Sequence, residues 1–129
     1  MGEYLFRHMA HKSGIDVSVS SAGIGALVGH GADKIAIEIM VDKGIDISTH
    51  LARQINEDLV KQNELILVME HWQKKKIEQR YPFSLGRVHL LGKWEDTEIS
   101  DPYKMSKSHF IEAYEKINRS CSQWCEKIC

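Results

Sequence analysis

Apolar residues recur along the chain in two rhythms, one helical and one alternating. Met1, Leu5, Phe6 and Met9 fall on one helical face with Gly2, Arg7 and His8 opposite, and Lys12, Ser13 and Gly14 close that helix. IDVSVSSAG (15–23) then alternates at Ile15, Val17 and Val19, the period of a strand running into Gly23 and Gly25. The glycine-rich loop GIGALVGHG (23–31) leads to a helix that Asp33 can cap, where Ile35, Ala36, Ile39 and Met40 recur before Gly44. GIDISTHLARQI (44–55) predicts a loop plus a helical turn, and Asn56 can cap a short helix over 57–62. ELILVM (64–69) is a continuous apolar run, as expected of a strand buried on both faces. A Lys-rich amphipathic helix fills 70–80 and stops before Tyr81-Pro82, and RVHLL (87–91) predicts a further strand. Residues 93–108 read as a loop, and 107–128 as a long helix carrying Phe110, Ile111, Tyr114, Ile117, Cys121, Trp124 and Cys125.

Strands separated by helices predict an α/β fold, a three-layer arrangement of a parallel sheet flanked by helices, with ligands at the carboxyl ends of the strands. Such folds usually begin with a strand. Here the opening helix has no Ser, Thr, Asp or Asn before it, and Met1 already sits in its apolar stripe.

Composition narrows the picture only a little. The 129 residues suit one domain spanning 1–129. A net charge of −1 gives no reason to expect nucleic acid or an anionic surface as partner. No apolar run nears the roughly 18 residues that span a bilayer, and no signal peptide is evident, so membrane insertion is not expected. Cys121, Cys125 and Cys129 lie in the last nine residues and make no disulfide framework, which points to a reducing cytoplasm. They line one helical stripe, as packed thiols do, and with the scattered histidines they give no metal-ligand pattern. No cofactor is expected.

Two polar stretches carry chemistry. In SDPYK (100–104) a proline follows an acid and restricts it to extended conformations, so Asp101 could donate a proton to a leaving oxygen beside an aromatic wall. Asp-Pro is also a common start to a turn. In VSSAG (19–23) and STHLARQI (48–55), Ser21 ends the predicted strand, and His50 and Arg53 are spaced to share one face of a helical turn. All three could bond a loop or an anion; each alone is equally a cap, a satisfied ring or a solvated cation.

In combination, VSSAG, GADKIAIEIMVDKGIDISTHLARQI, ELILVME and SDPYK resemble the low molecular weight protein-tyrosine phosphatases in order and spacing. GIGALVGHGAD is similar to the bacterial branch that works beside tyrosine kinases in exopolysaccharide export, and the resemblance covers essentially all 129 residues. It implies a cytoplasmic hydrolase that cleaves phosphotyrosine through a cysteinyl-phosphate intermediate. Its partner would be a phosphotyrosine protein, an autophosphorylating tyrosine kinase among the candidates. On this resemblance Asp101 is the general acid, and Tyr103, Leu27 and Pro102 frame the substrate ring. Ser21, His50 and Arg53 brace the phosphate-binding loop. Where the family often has a second tyrosine after Asp-Pro-Tyr, this chain has Lys104.

The family's nucleophile lies in a Cys-x5-Arg-Ser-Pro loop, preceded by a central strand and followed by the helix that MGEYLFRHMAHK resembles. No Cys-x5-Arg occurs in these 129 residues. The resemblance therefore predicts a phosphatase-like domain whose first, central strand and nucleophile loop are missing, and an inactive chain. The strands resembling 16–21 and 64–69 would stand about 9–10 Å apart, with unpaired edges open to rearrangement or self-association. Two other readings stay open: a phosphatase-like binding module without turnover, and an arsenate reductase. The second needs redox cysteines in mid-chain, and residues 1–120 contain none.

Overall fold

The structure, a computed structural model, describes residues 1–25 and 29–128. Helix α1 (Gly2–Lys12) opens the chain without a side-chain cap, and Leu5, Phe6 and Ala10 are its buried residues. Helix α2 (Lys34–Asp42) is capped by Asp33, whose carboxylate accepts from Ile35 N at 2.9 Å. Asn56 does the same for α3 (Glu57–Gln62), accepting from Leu59 N at 2.9 Å. Strand β1 (Ile66–Val68), helix α4 (His71–Arg80), strand β2 (Val88–Leu90) and the long helix α5 (Lys107–Ile128) complete the order, with 3-10 turns at Pro82–Ser84 and Lys93–Glu95.

Strands β1 and β2 pair in parallel, Ile66 opposite Val88 and Val68 opposite Leu90. The Ile66 N–H reaches Arg87 O at 2.9 Å, and the Leu91 N–H reaches Val68 O at 2.7 Å. Ile66 and Val68 therefore turn their backbone groups to β2, and those of Leu67 face the other edge. Among the described residues no strand lies there.

Three sequence expectations need correction. Residues 15–22 form no strand; the run touches a ladder only where Gly23 bridges Gln54. Ile15 and Val19 lean on the core, but Val17 is 41% exposed, so the three do not share a buried face. An extended run becomes a strand only when a neighbour takes its backbone groups. Here Val19 O is taken by Arg7 and Ser21 O by Arg53, both side chains. Strand 64–69 shortens to Ile66–Val68 and is half-buried at Ile66 and Leu67, not buried on both faces. The helical turn expected around His50 and Arg53 is absent as well: only a turn at 48–49 forms, and extended backbone follows. Leu51 bridges Gly31, Ala52 N donates to His30 O at 2.8 Å, and Gly23 N donates to Arg53 O at 2.8 Å.

The main core lies between α1, α2 and α5, with Met40 and Cys121 fully buried. Burying side chains of this size contributes about 1.5–3 kcal/mol each. Trp124, on α5, donates its indole N–H to Leu91 O at 2.8 Å and so ties the long helix to the end of β2. Cys121 and Cys125 pack in that stripe, as the spacing predicts. A second cluster, Val68, Ile77, Val88 and Leu90, seats α4 on the sheet.

Candidate active site

A cavity of about 450 Å³ opens at the N-terminal end of α1. Four chain segments meet in it: the first turn of α1, the end of the extended run at Ser21, the 47–52 loop with His50, and the Ser100-Asp101-Pro102 loop. Met69 and Glu70, directly after β1, complete the wall, so the cavity lies at a strand's carboxyl end. The first N–H groups of α1 have no helical partners and carry the positive end of its dipole, which suits an anion.

Glu3 organises one side. Its carboxylate accepts from Ser21 Oγ at 2.5 Å and pairs with Arg7 at 2.5 Å, while His50 Nδ1 stands 4.0 Å away. Burial acts to raise the Glu3 pKa, but bonds from Ser21 and Arg7, with the charges of Arg7 and His50, together outweigh it and hold the carboxyl below its ordinary range. Arg7 also donates to Val19 O at 2.6 Å and stacks over Tyr4, 5.1 Å from the ring centroid. The Tyr4 ring meets His50 edge to face at 5.6 Å. Arg53 donates to Ser21 O through Nε at 3.3 Å and Nη2 at 3.2 Å. Ser21 is thus held at both ends, its hydroxyl by Glu3 and its carbonyl by Arg53.

Ser21, His50 and Arg53 do converge, though through Glu3 and the Ser21 backbone and not through a shared helical face. Ser21 and His50 line the cavity, while Arg53 acts from behind it. Asp101 and Pro102 line the cavity too. One Asp101 oxygen, Oδ1, accepts from Tyr103 N at 3.0 Å and sets the loop's turn; Oδ2 has no hydrogen-bond partner among the described residues. Tyr103 does not line the cavity: it is 52% exposed, with Lys104 Nζ 5.5 Å from its ring. Leu27 lies outside the described residues.

Sequence reasoning missed Glu3, the group that joins the others. Its one signal was an acid four residues before Arg7 on the polar side of the first helix. Glu70 and Gln73 were missed too, although Glu-x-x-Gln is a capping-box spacing, and here they form one at the start of α4. No described thiol reaches the cavity. Burial, and then the neighbouring Cys125, push the Cys121 thiol up to about 12. Among the described residues no group of three or more His, Cys, Asp or Glu side chains is placed to hold a metal ion.

The chain belongs to the low molecular weight phosphotyrosine protein phosphatase family, whose model matches residues 1–129. It is 47% identical over 112 residues to the probable low molecular weight protein-tyrosine-phosphatase EpsP of Ralstonia nicotianae, covering 87% of this chain and 77% of that one. Among solved structures it is similar to the tyrosine phosphatase Wzb from Escherichia coli K30 in complex with sulphate. That match has a TM-score of 0.92 and 34% identity, over 99% of this chain and 87% of the other. Vibrio vulnificus Wzb in complex with benzylphosphonate matches with a TM-score of 0.90 and 34% identity, over 98% and 87%. No helix among the described residues is long and apolar enough to cross a membrane.

Proposed function

We propose that the protein hydrolyses phosphotyrosine on proteins, with Asp101 as the general acid. The observation that carries this reading is the single cavity shared by Asp101, the first turn of α1 and the Ser21–Glu3–His50 cluster. A thiolate attacks phosphorus as the bond to the tyrosine oxygen breaks, and the Asp101 carboxyl gives that oxygen its proton. The carboxylate then takes a proton from the water that releases phosphate from sulfur. The helix N-terminus favours the phosphoryl oxygens. Support comes from the Wzb relatives crystallised with sulphate and with benzylphosphonate, a phosphoryl-like anion on an aromatic ring. Pro102, in the cavity wall, flanks the substrate's ring, and Ser21, His50 and Arg53 brace the phosphate-binding loop.

The thiolate is not among these 129 residues, which contain no Cys-x5-Arg. A polypeptide of these residues alone is accordingly inactive and gains turnover when a segment carrying that loop precedes Met1. Its physiological partner is a phosphotyrosine protein in the cytoplasm, an autophosphorylating tyrosine kinase of exopolysaccharide export among the candidates. The edge at Leu67, which no strand covers among the described residues, favours pairing between copies, which sedimentation reads directly.

The test compares Asp101→Asn with the parent in a chain so extended. Loss of the acid should lower kcat on a phosphotyrosine peptide by about 10²–10⁴-fold. It should lower kcat on p-nitrophenyl phosphate much less, because that leaving group departs without a proton. Equal losses on the two substrates would remove Asp101 from the general-acid role.

A further inference from the structure

Helix α4 presents its outer face beside the cavity, with no described residue laid over it. Trp72, Lys75, Lys76, Gln79 and Arg80 recur at three- and four-residue spacing and are all exposed, while Ile77 points into the core. Trp72 is 52% exposed, yet its indole is fixed: Nε1 donates to Glu70 Oε2 at 2.8 Å. Glu70 and Gln73, on either side of it in the chain, both line the cavity. Trp72 is therefore an exposed apolar plate tethered to a residue of the cavity wall.

Charge on this face has one sign. Among the described residues Lys75, Lys76 and Arg80 make no ion pair, and the face itself carries no carboxylate. The nearby acids are engaged elsewhere: Glu78 pairs with Lys74 at 3.9 Å, Glu98 accepts from His71 N at 3.1 Å, and Glu70 holds Trp72. Three free cations behind an exposed tryptophan, on a helix whose first turn reaches the cavity wall at Gln73, complement an acidic chain with an apolar side chain.

We propose that the outer face of α4 is a docking site for the acidic segment that flanks the substrate's phosphotyrosine. Trp72 takes an aromatic or aliphatic side chain of that segment, and Lys75, Lys76 and Arg80 take its carboxylates. This rests on the phosphotyrosine reading of the cavity, which it extends from the phosphate to the sequence around it.

The test titrates the 129-residue chain with a fluorescent acidic peptide carrying one tyrosine and one leucine, phosphorylated and unphosphorylated. The same residues with Lys and Arg for Asp and Glu serve as control. The acidic peptides should bind in both phosphorylation states and the basic control should not. Trp72→Ala should weaken binding about tenfold, and Trp72→Phe should retain most of it. The double change Lys75→Glu with Lys76→Glu should weaken binding by about tenfold or more and flatten the salt dependence of what remains. No binding of the acidic peptides, or equal binding by parent and variants, overturns the docking site. The unphosphorylated peptide reads the α4 face alone, so failure of the Asp101 kinetics would count against the hydrolytic reading and leave this result distinct.

Discussion

Replacing Glu3 by glutamine asks whether one carboxylate holds the cavity's phosphate side together. The wild-type carboxylate is 14% exposed and accepts from Ser21 Oγ and Arg7, with His50 beside it. Hydrogen bonds to a charged group contribute about 1.5–3 kcal/mol each. Arg7 is 48% exposed, so solvent screening limits its pairing to about 0.5 kcal/mol. Glutamine keeps an acceptor for Ser21 but sets an NH2 donor against Arg7, so the charge and that pairing are lost together. The expected loss at pH 7 is therefore about 1–2 kcal/mol, and Glu3→Ala should cost about 2–3 kcal/mol by leaving the Ser21 hydroxyl unmet. The pH dependence follows from the depressed folded-state pKa. A carboxyl held below its ordinary 4.5 contributes fully above that pH, and the contribution is lost as pH falls through the lowered value. Urea unfolding of parent and Glu3→Gln from pH 7 down to pH 3 should show a constant gap that closes below about 4.5. A gap that persists unchanged at low pH, or none at pH 7, would refute the charge-centred account.

Other expectations are local. Trp124→Phe removes the indole bond to Leu91 O and should cost about 1–2 kcal/mol in urea unfolding, whereas Trp124→Ala should cost about 3–5 kcal/mol by opening a cavity. A Cβ on Gly92 would stand 2.3 Å from Thr97 O, a backbone atom with no freedom to yield, so Gly92→Ala should lower stability by about 1–3 kcal/mol in thermal melts. Burial raises the Cys121 thiol to about 12, so native protein at pH 8 should react with iodoacetamide at Cys121 far more slowly than urea-unfolded protein. Because that folded value lies above the unfolded one of 9.0, the thiol's contribution holds below pH 9 and declines as pH rises towards 12.

Helices were legible where residue chemistry acts locally. Asp33 and Asn56 cap the helices they were expected to cap, and the three- and four-residue recurrence of Phe110, Tyr114, Ile117, Cys121 and Trp124 marks the buried stripe of α5. Strands were legible only where a partner exists. RVHLL and ELILVM find each other, but the alternation of Ile15, Val17 and Val19 meets no neighbour among the described residues and stays extended. The helical turn around His50 failed for the converse reason: Gly31 and Gly23 supply long-range bridges that local spacing does not record. At the candidate site, Asp101, Ser21 and His50 could be chosen from sequence because their motifs recur in a family. Glu3 could not, because its importance comes from contacts with Ser21 and His50, 18 and 47 positions away.

On the proposed reading, these 129 residues supply the acid and the frame of a tyrosine phosphatase site but not its nucleophile. Hydrolysis of p-nitrophenyl phosphate at mildly acidic pH tests it most directly, using protein whose intact mass fixes its first residue as Met1. The expected result is no vanadate-sensitive turnover from these residues alone. Vanadate-sensitive turnover by that protein would contradict it, because a nucleophile would then lie within the chain.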